Sequence, residues 1–338
     1  MSDSSRRVAD VLREAQPFFF WPNDGNIGDL LIAEASRQFF RREGLLYEEW
    51  DGSGAKRESS GTLVYGGGGR FVPHWGSLDS FVAAMTAPWV RRCIILPHSI
   101  RHVDSFVLSF DERFTVFCRD AETLNYVSSL NPRVQCIPAD DMAMQYKQED
   151  QRCGVSQTAR GRCDEVEGNA LLERGFASSV ERMVMRSTAT IRWDGACHRV
   201  SFVLRKDREK LSTADSPFSC DPNACWYTHC LEASCNAPIL SAIFRALNYA
   251  DSIVTDRLHV AVMGCLLGKQ VYMLDNDYGK LGGVYRQTLR RFGNVHYVGN
   301  AAWPEPVSTA WRRLNSPAKV AVHRLQVRWQ RLKNRVFG

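Results

Sequence analysis

The chain has 338 residues, of which 44% are hydrophobic and 24% charged, with a formal net charge of +6. That composition is ample for a packed core, suggests two domains, and excludes a globally disordered chain. The small positive excess is compatible with an anionic small molecule, a membrane face or nucleic acid, but the basic residues form no single interior run, which argues against a nucleic-acid groove.

The N-terminal "MSDSSRRVADVLREAQ" is polar and reads as a helix, without the charged tip and apolar core of a secretory leader. The apolar stretches "FFFW" and "RCIILP" are far too short to cross a bilayer. The expectation is a cytoplasmic protein, soluble or peripheral on the inner face of the membrane. "PFFFW" (17–21) reads as a buried strand, "PNDGNIGD" as a turn-rich loop and "LLIAEASRQFFRREG" (30–44) as an amphipathic helix closed by Gly44. "TLVYGGGG" (62–69) is a strand ending in glycines, followed by a helix at 77–88 and strands at 92–100 and 114–120. The helix "AETLNYVSSL" and a strand within 134–144 complete an α/β pattern over residues 1–150, an N-terminal Rossmann-like domain.

Residues 146–170 turn polar and mixed in charge without apolar periodicity, and a helix is expected near 169–186. We read 151–195 as a linker or insertion. The α/β pattern then restarts over 196–305 as a second Rossmann-like domain. It has strands at 198–205, 251–256 and 270–275 and helices at 238–250 and 257–268. Two such halves imply a cleft, and ligands in these sheets bind beyond the carboxyl ends of the strands. The tail, 306–338, ends in a basic helix with an apolar stripe of Val322, Leu325, Trp329, Leu332 and Val336. It reads either as a helix docked on the body or as a contact with an anionic membrane surface.

The chain has 11 cysteines, and Cys220, Cys225, Cys230 and Cys235 recur every five residues. Five-residue steps on a helix rotate each thiol away from the last, so this series does not offer a tetrahedral metal site, and reduced thiols are the reading. No metal-ligand spacing is seen elsewhere.

Four stretches carry chemistry. In "SIVTDRLHVAVMGCLLGK" a strand ends at Asp256 and a helix begins at Arg257, placing Arg257 and His259 in its first turn. A helix N-terminus attracts anions, and an arginine there opposes the dipole unless an anion sits between them. A surface pair of Arg257 with Asp256 is the plainer alternative. In "VLRKDRE" (203–209), Arg205 closes a second apolar strand at its carboxyl end. In "NDGNIGDLL", Asn26, Gly28 and Asp29 join the first strand to the first helix of the sheet, and Asp29 reads equally as an N-cap. In "YGGGGRF", Gly67 and Gly68 can turn backbone N–H groups onto an anion or let a ligand approach closely. The run is neither a dinucleotide fingerprint nor a P-loop.

Together these stretches resemble the polysaccharide pyruvyl transferase family. The resemblance rests on "NDGNIGDLLIAEA", "LVYGGGGRF", "ILPHSI", "FCRDAETL", "PADDMA", "FVLRKDRE" and "IVTDRLHVAVMGCLLGKQVYML" followed by "DYGK", in order from about residue 17 to about 285. It implies transfer of pyruvate from phosphoenolpyruvate onto two hydroxyls of a sugar, on a polysaccharide or a lipid-linked oligosaccharide, with phosphate leaving. It also implies a two-domain arrangement similar to GT-B glycosyltransferases, with Arg205, Arg257, Leu258 and His259 at donor-binding positions. No metal and no cofactor beyond the donor are expected, since the arginines can neutralise the leaving phosphate. The chemistry agrees: a carboxylate and a phosphate on three carbons need at least two cationic grips, and arginine forks provide them. Arg205 and Arg257 are the candidates, with Lys280 a third. His259 is the candidate general acid at C3, and Asp29 the candidate acceptor of the sugar proton, ahead of Asp256 and Asp207. A nucleotide-sugar glycosyltransferase, whose diphosphate the same arginines would hold, and a non-catalytic glycan- or anion-binding relative remain as alternatives. A dinucleotide oxidoreductase is more distant still.

Overall fold

The structure is a computed structural model. It describes residues 2–23, 25–50, 52, 60–148, 179, 182–205, 233–276, 279–299, 303–317, 319 and 320. Asp207, most of the expected linker, Cys220, Cys225 and Cys230, and the apolar stripe of the tail lie outside the described residues. The chain divides into two compact units, one of Met1–Glu173, Trp226–Ser241 and Gly282–Arg291, the other of Arg174–Cys225, Ala242–Leu281 and Phe292–Gly338.

The first unit is built on six parallel strands, β1 (Phe18–Trp21), β2 (Tyr47–Glu49), β3 (Gly61–Tyr65), β4 (Val90–His98), β5 (Phe114–Cys118) and β6 (Gln135–Pro138), in the order β2-β1-β3-β4-β5-β6. Strands covered on both faces read as continuous apolar runs, and β5 is buried at every residue. Around them lie α1 (Asp3–Ala15), α2 (Ile27–Arg42), α3 (Asp79–Met85), α4 (Asp104–Leu108) and α5 (Ala121–Leu130). On one face α2 buries Phe40 edge-on to Phe18 and Phe20, at centroid distances of 5.3 and 5.0 Å. Such pairs add about 0.5–1.5 kcal/mol each beyond their buried area. The other face packs Trp21, Tyr65, Phe71 and Phe81 against one another. The chain passes from β1 to β2 on one side and then to β3 on the other. The strand order therefore reverses between β1 and β3, the kind of position at which ligands bind in open parallel sheets.

The second unit carries the sheet β11-β10-β9-β8-β7. Its strands β8 (Ala196–Val203), β9 (Ser252–Thr255), β10 (Gln270–Met273) and β11 (Val295–Tyr297) are parallel, and β7 (Thr188–Trp193) runs antiparallel to β8. Sequence reasoning placed residues 188–193 in a linker; they form an edge strand. The hairpin turn is Asp194–Gly195, both at positive φ (48° and 78°), the conformation a two-residue turn with the strands' own twist requires. Among the described residues the chain's further helices are α6 (Ala233–Asn248), α7 (Leu258–Leu266), α8 (Lys280–Gln287) and α9 (Glu305–Leu314), of which α7 and α9 lie wholly in the second unit. Phe202, Val254, Leu274, Val307 and Leu314 form the apolar core beneath α9.

Candidate functional site

In the second unit, β8 and β9 end side by side, and the residues just past them interlock. Thr255 Oγ1 donates to the carbonyl of Val203 at 2.6 Å and accepts from the N–H of Arg257 at 3.0 Å. Asp256 Oδ1 accepts the N–H of Arg205 at 2.7 Å. The backbones of both arginines are thus held by the side chains of Thr255 and Asp256, which are themselves fully buried. Arg205 and Arg257 are each only 6% exposed. A charge this far from water is costly unless it is paired, and the Asp256 carboxylate interacts with both guanidinium groups.

Arg257 is the N-cap of α7, and no side chain of the described residues caps that helix. The first-turn N–H groups of a helix are donors for an anion. Leu258, the first helical residue, is buried; His259, the second, is half-buried. Asp256 is the unusual group. Burial pushes its carboxyl up to about 6, against the Arg205 N–H and the charges of Arg205 and Arg257, which pull the other way. Its second oxygen, Oδ2, is buried with no hydrogen bond among the described residues.

The segment after β10 builds the start of α8. Asp275 Oδ1 accepts from the N–H groups of Asn276 and Leu281, at 2.9 and 3.2 Å, and Oδ2 accepts from the Tyr297 hydroxyl. Asn276 Oδ1 accepts the N–H of Lys280 at 2.9 Å, and Gly279 turns the chain at φ +73°. Lys280 therefore stands as the first residue of a firmly built helix start. Asp275, Asn276 and Tyr297 were not foreseen; the polar cluster "DNDYGK" just past a strand was the available signal.

In the first unit, the loops at the β1/β3 reversal hold Asn26, Asp29, Gly67 and Gly68. Asn26 caps α2, its Oδ1 accepting from Gly28 N at 2.8 Å, while Asp29 Oδ2 accepts from Asn26 N at 3.0 Å. The two form a reciprocal capping box. Asp29 Oδ1 also accepts from Asn23 Nδ2 at 2.9 Å, and buried Asn23 accepts from the Tyr65 hydroxyl at 2.6 Å. Asp29 is thus oriented through Asn23 by the residue that ends β3, a contact sequence spacing did not reveal. The glycines let this loop lie against its neighbours. A Cβ on Gly67 would meet the Pro97 carbonyl at 2.8 Å, and one on Gly68 would meet Asn23 Nδ2 at 2.7 Å. Two of the run's amides are used within the protein, Gly66 N donating to Trp21 O and Gly68 N to Pro97 O.

The other motifs of the first unit form its frame. His98 is fully buried, stacks on Phe71 with centroids 4.3 Å apart, and accepts from Arg70 N at 3.0 Å. Arg119, also fully buried, donates to Asp141 at 2.6 Å and to Ser99 Oγ at 2.9 Å; Ser99 in turn donates to Asp120 at 2.6 Å. Burial would raise the Asp120 carboxyl, but the Arg101 charge and the Ser99 and Thr123 hydrogen bonds outweigh it and hold it below the usual range. Gln287 Nε2 donates to the carbonyls of Cys118 and Ala139, at 2.8 Å each, and Thr288 and Arg291 bind Asp140.

The residues singled out in the sequence thus fall into two groups. Arg205, Arg257, Leu258, His259 and Lys280 occupy strand ends and helix starts of the second unit, and Asn26, Asp29, Gly67 and Gly68 occupy the β1/β3 loops of the first. Among the described residues no three His, Cys, Asp or Glu side chains are grouped as a metal ion would need, and no helix is long and apolar enough to cross a membrane.

A sequence model of the polysaccharide pyruvyl transferase family matches residues 26–149. A Bacillus subtilis (strain 168) protein named "Putative pyruvyl transferase EpsO" is 22% identical over 317 residues, covering 88% of this chain and 93% of that protein. The family resemblance read from the motifs therefore stands, with the family match lying in the first half of the chain. The crystal structure of a functionally uncharacterized protein from Klebsiella pneumoniae has a TM-score of 0.62 at 22% identity, covering 88% of this chain and 99% of that one. It shares the fold.

Proposed function

We propose that this protein transfers the pyruvyl group of phosphoenolpyruvate onto two hydroxyls of a sugar, in a polysaccharide or its lipid-linked precursor, forming a cyclic ketal and releasing phosphate. The observation that carries this reading is the pair of buried arginines, Arg205 and Arg257, whose backbones are fixed to each other through Thr255 and Asp256 beside the start of α7. The donor presents a carboxylate and a phosphate. Arginine forks bind both bidentately, and the helix N–H groups add donors to the same charge. Lys280 supplies a further cation.

In this reading His259 gives a proton to C3 of the enol, leaving C2 electron-poor. One sugar hydroxyl adds to C2, with Asp29 accepting its proton. The C2–O bond to phosphate breaks with its electron pair going to phosphate, and the second hydroxyl closes the ketal. Two hydroxyl protons are released; they balance the one taken up at C3 and the one carried away by phosphate. Asn23 orients Asp29 for its part, and the arginines neutralise the leaving group.

Acceptor-dependent release of inorganic phosphate tests this directly. Phosphate should appear from phosphoenolpyruvate only when an acceptor glycan is present. Sugar transfer from a nucleotide sugar, with phosphoenolpyruvate left intact, would replace the reading with a glycosyltransferase.

A further inference from the structure

Asp256 takes no part in the steps above, yet it is a fully buried acid that binds the backbone of Arg205 and interacts with the charges of Arg205 and Arg257. We propose that Asp256 balances the charge of the site by taking up a proton when an anionic donor binds at Arg205 and Arg257 and giving it back when phosphate leaves. The inference rests on the donor reading just given and adds to it a proton that moves with the anion.

The geometry carries the idea. Asp256 is fully buried, and its two oxygens are differently placed. Oδ1 is occupied by the Arg205 N–H at 2.7 Å; Oδ2 is buried with no hydrogen bond among the described residues. A carboxylate with one oxygen shut off from water and donors is poorly stabilised as an anion, and that same oxygen is where a proton can sit. Protonation at Oδ2 leaves Oδ1 accepting from Arg205, so the lock between the strand ends survives it.

The surrounding charges set the direction. Arg205 acts on Asp256 from the end of β8 and Arg257 from the cap of α7, both favouring the ionised form. His259 follows in the first turn of α7. Past the end of β10, the neighbouring strand, Asp275 is held by Tyr297, Asn276 and Leu281. A trianion binding the arginines takes up the charge that favours ionised Asp256 and adds like charge nearby, and both effects raise the carboxyl's affinity for a proton. Burial has already brought Asp256 to about 6, so a modest further rise carries it through neutrality.

Calorimetric titration of phosphoenolpyruvate into the protein at pH 7.5, in buffers of low and high ionisation enthalpy, reads the proton count. The wild type should take up a proton, up to about one per ligand. Asp256→Asn keeps an acceptor for Arg205 and is already neutral. It should lose that uptake and bind phosphoenolpyruvate about tenfold more tightly at pH 7.5, with little change between pH 6 and 8. A merely structural role predicts weaker binding instead. Wild-type binding without proton uptake, or equal uptake in Asp256→Asn, overturns the proposal and leaves the donor reading intact. No binding of phosphoenolpyruvate at all overturns the donor reading and this proposal with it. Should Asp256→Asn fail to fold, the affinity of His259→Ala, which cannot take up a proton at the imidazole, decides: it should fall towards tenfold per unit as pH rises above 7, and a flat profile contradicts the proposal.

Discussion

Asp256 and Arg205 lie 51 residues apart in sequence, and the carboxylate of one accepts the backbone N–H of the other at 2.7 Å. The bond joins the ends of two neighbouring parallel strands and makes an acid part of the framework that presents an arginine pair. Its consequences can be measured without any substrate.

The first is a pH dependence of stability. The Asp256 carboxyl is raised from an ordinary 3.8 to about 6 on folding. A raised acid holds its proton more tightly folded than unfolded, so its contribution is fully present below about pH 4 and is lost as pH rises through about 6. Asp256→Asn removes that dependence. Between pH 4 and 6 the difference in unfolding free energy should move in the variant's favour by at most about 3 kcal/mol, then level off. Urea denaturation of both proteins across this range checks it; parallel curves would mean that Asp256 is not perturbed.

The Thr255 hydroxyl serves two backbone groups at once. Thr255→Val keeps the shape but strands a buried N–H and a buried carbonyl, at about 1–3 kcal/mol. Thermal denaturation should show that loss, and phosphoenolpyruvate should bind more weakly because Arg257 is no longer pinned. Thr255→Ser should restore both. Unchanged donor affinity in Thr255→Val would mean that the lock does not position the arginine.

Two glycines separate strain from contact. Gly68 sits at φ +142° with Asn23 Nδ2 only 2.7 Å from where a Cβ would be, whereas Gly76, at φ +84°, has nothing within 4 Å. Gly76→Ala, at ψ −161°, should cost about 1–3 kcal/mol from backbone conformation alone. Gly68→Ala should cost more and should also depress turnover, since it displaces the residue that orients Asp29. Equal losses at the two sites would remove the argument for contact.

Asp29 is at once a helix cap and the proposed proton acceptor. Asn26→Ala removes the other half of the capping box and should cost about 1 kcal/mol while leaving most of the turnover. Asp29→Asn should lose a similar amount of stability but nearly all turnover, by analogy with the 10²–10⁴-fold that a positioned acid or base supplies. Steady-state rates measured beside melting temperatures decide it; a rate loss no larger than that of Asn26→Ala would leave Asp29 as a cap alone.

Much of this was legible in the residues. Apolar runs such as "CIILP" and "FTVFC" announce buried parallel strands, and the change from strand to helix at "IVTDRLH" places Arg257 at a helix start without any structure. Contacts between distant segments were not legible. Asn23 reads as an ordinary turn residue until Tyr65, 42 residues on, is seen to donate to it. Asp256 looks like a surface acid beside an arginine until both prove buried, because burial depends on which strand lies alongside and local pattern does not carry that. The β7 hairpin was missed for a different reason: its Asp194–Gly195 turn is a recognisable signal, but the long polar stretch before it drew the whole region into a linker.

The central claim is that the arginine pair holds phosphoenolpyruvate for pyruvyl transfer to a sugar. Mass spectrometry of a panel of glycosides incubated with the protein and phosphoenolpyruvate tests it most directly, with Arg257→Lys run alongside. A mass gain matching one pyruvate ketal, strongly reduced in Arg257→Lys because a point charge cannot replace a fork, is the expected result. An unmodified panel with the donor intact, or full product from Arg257→Lys, would contradict it.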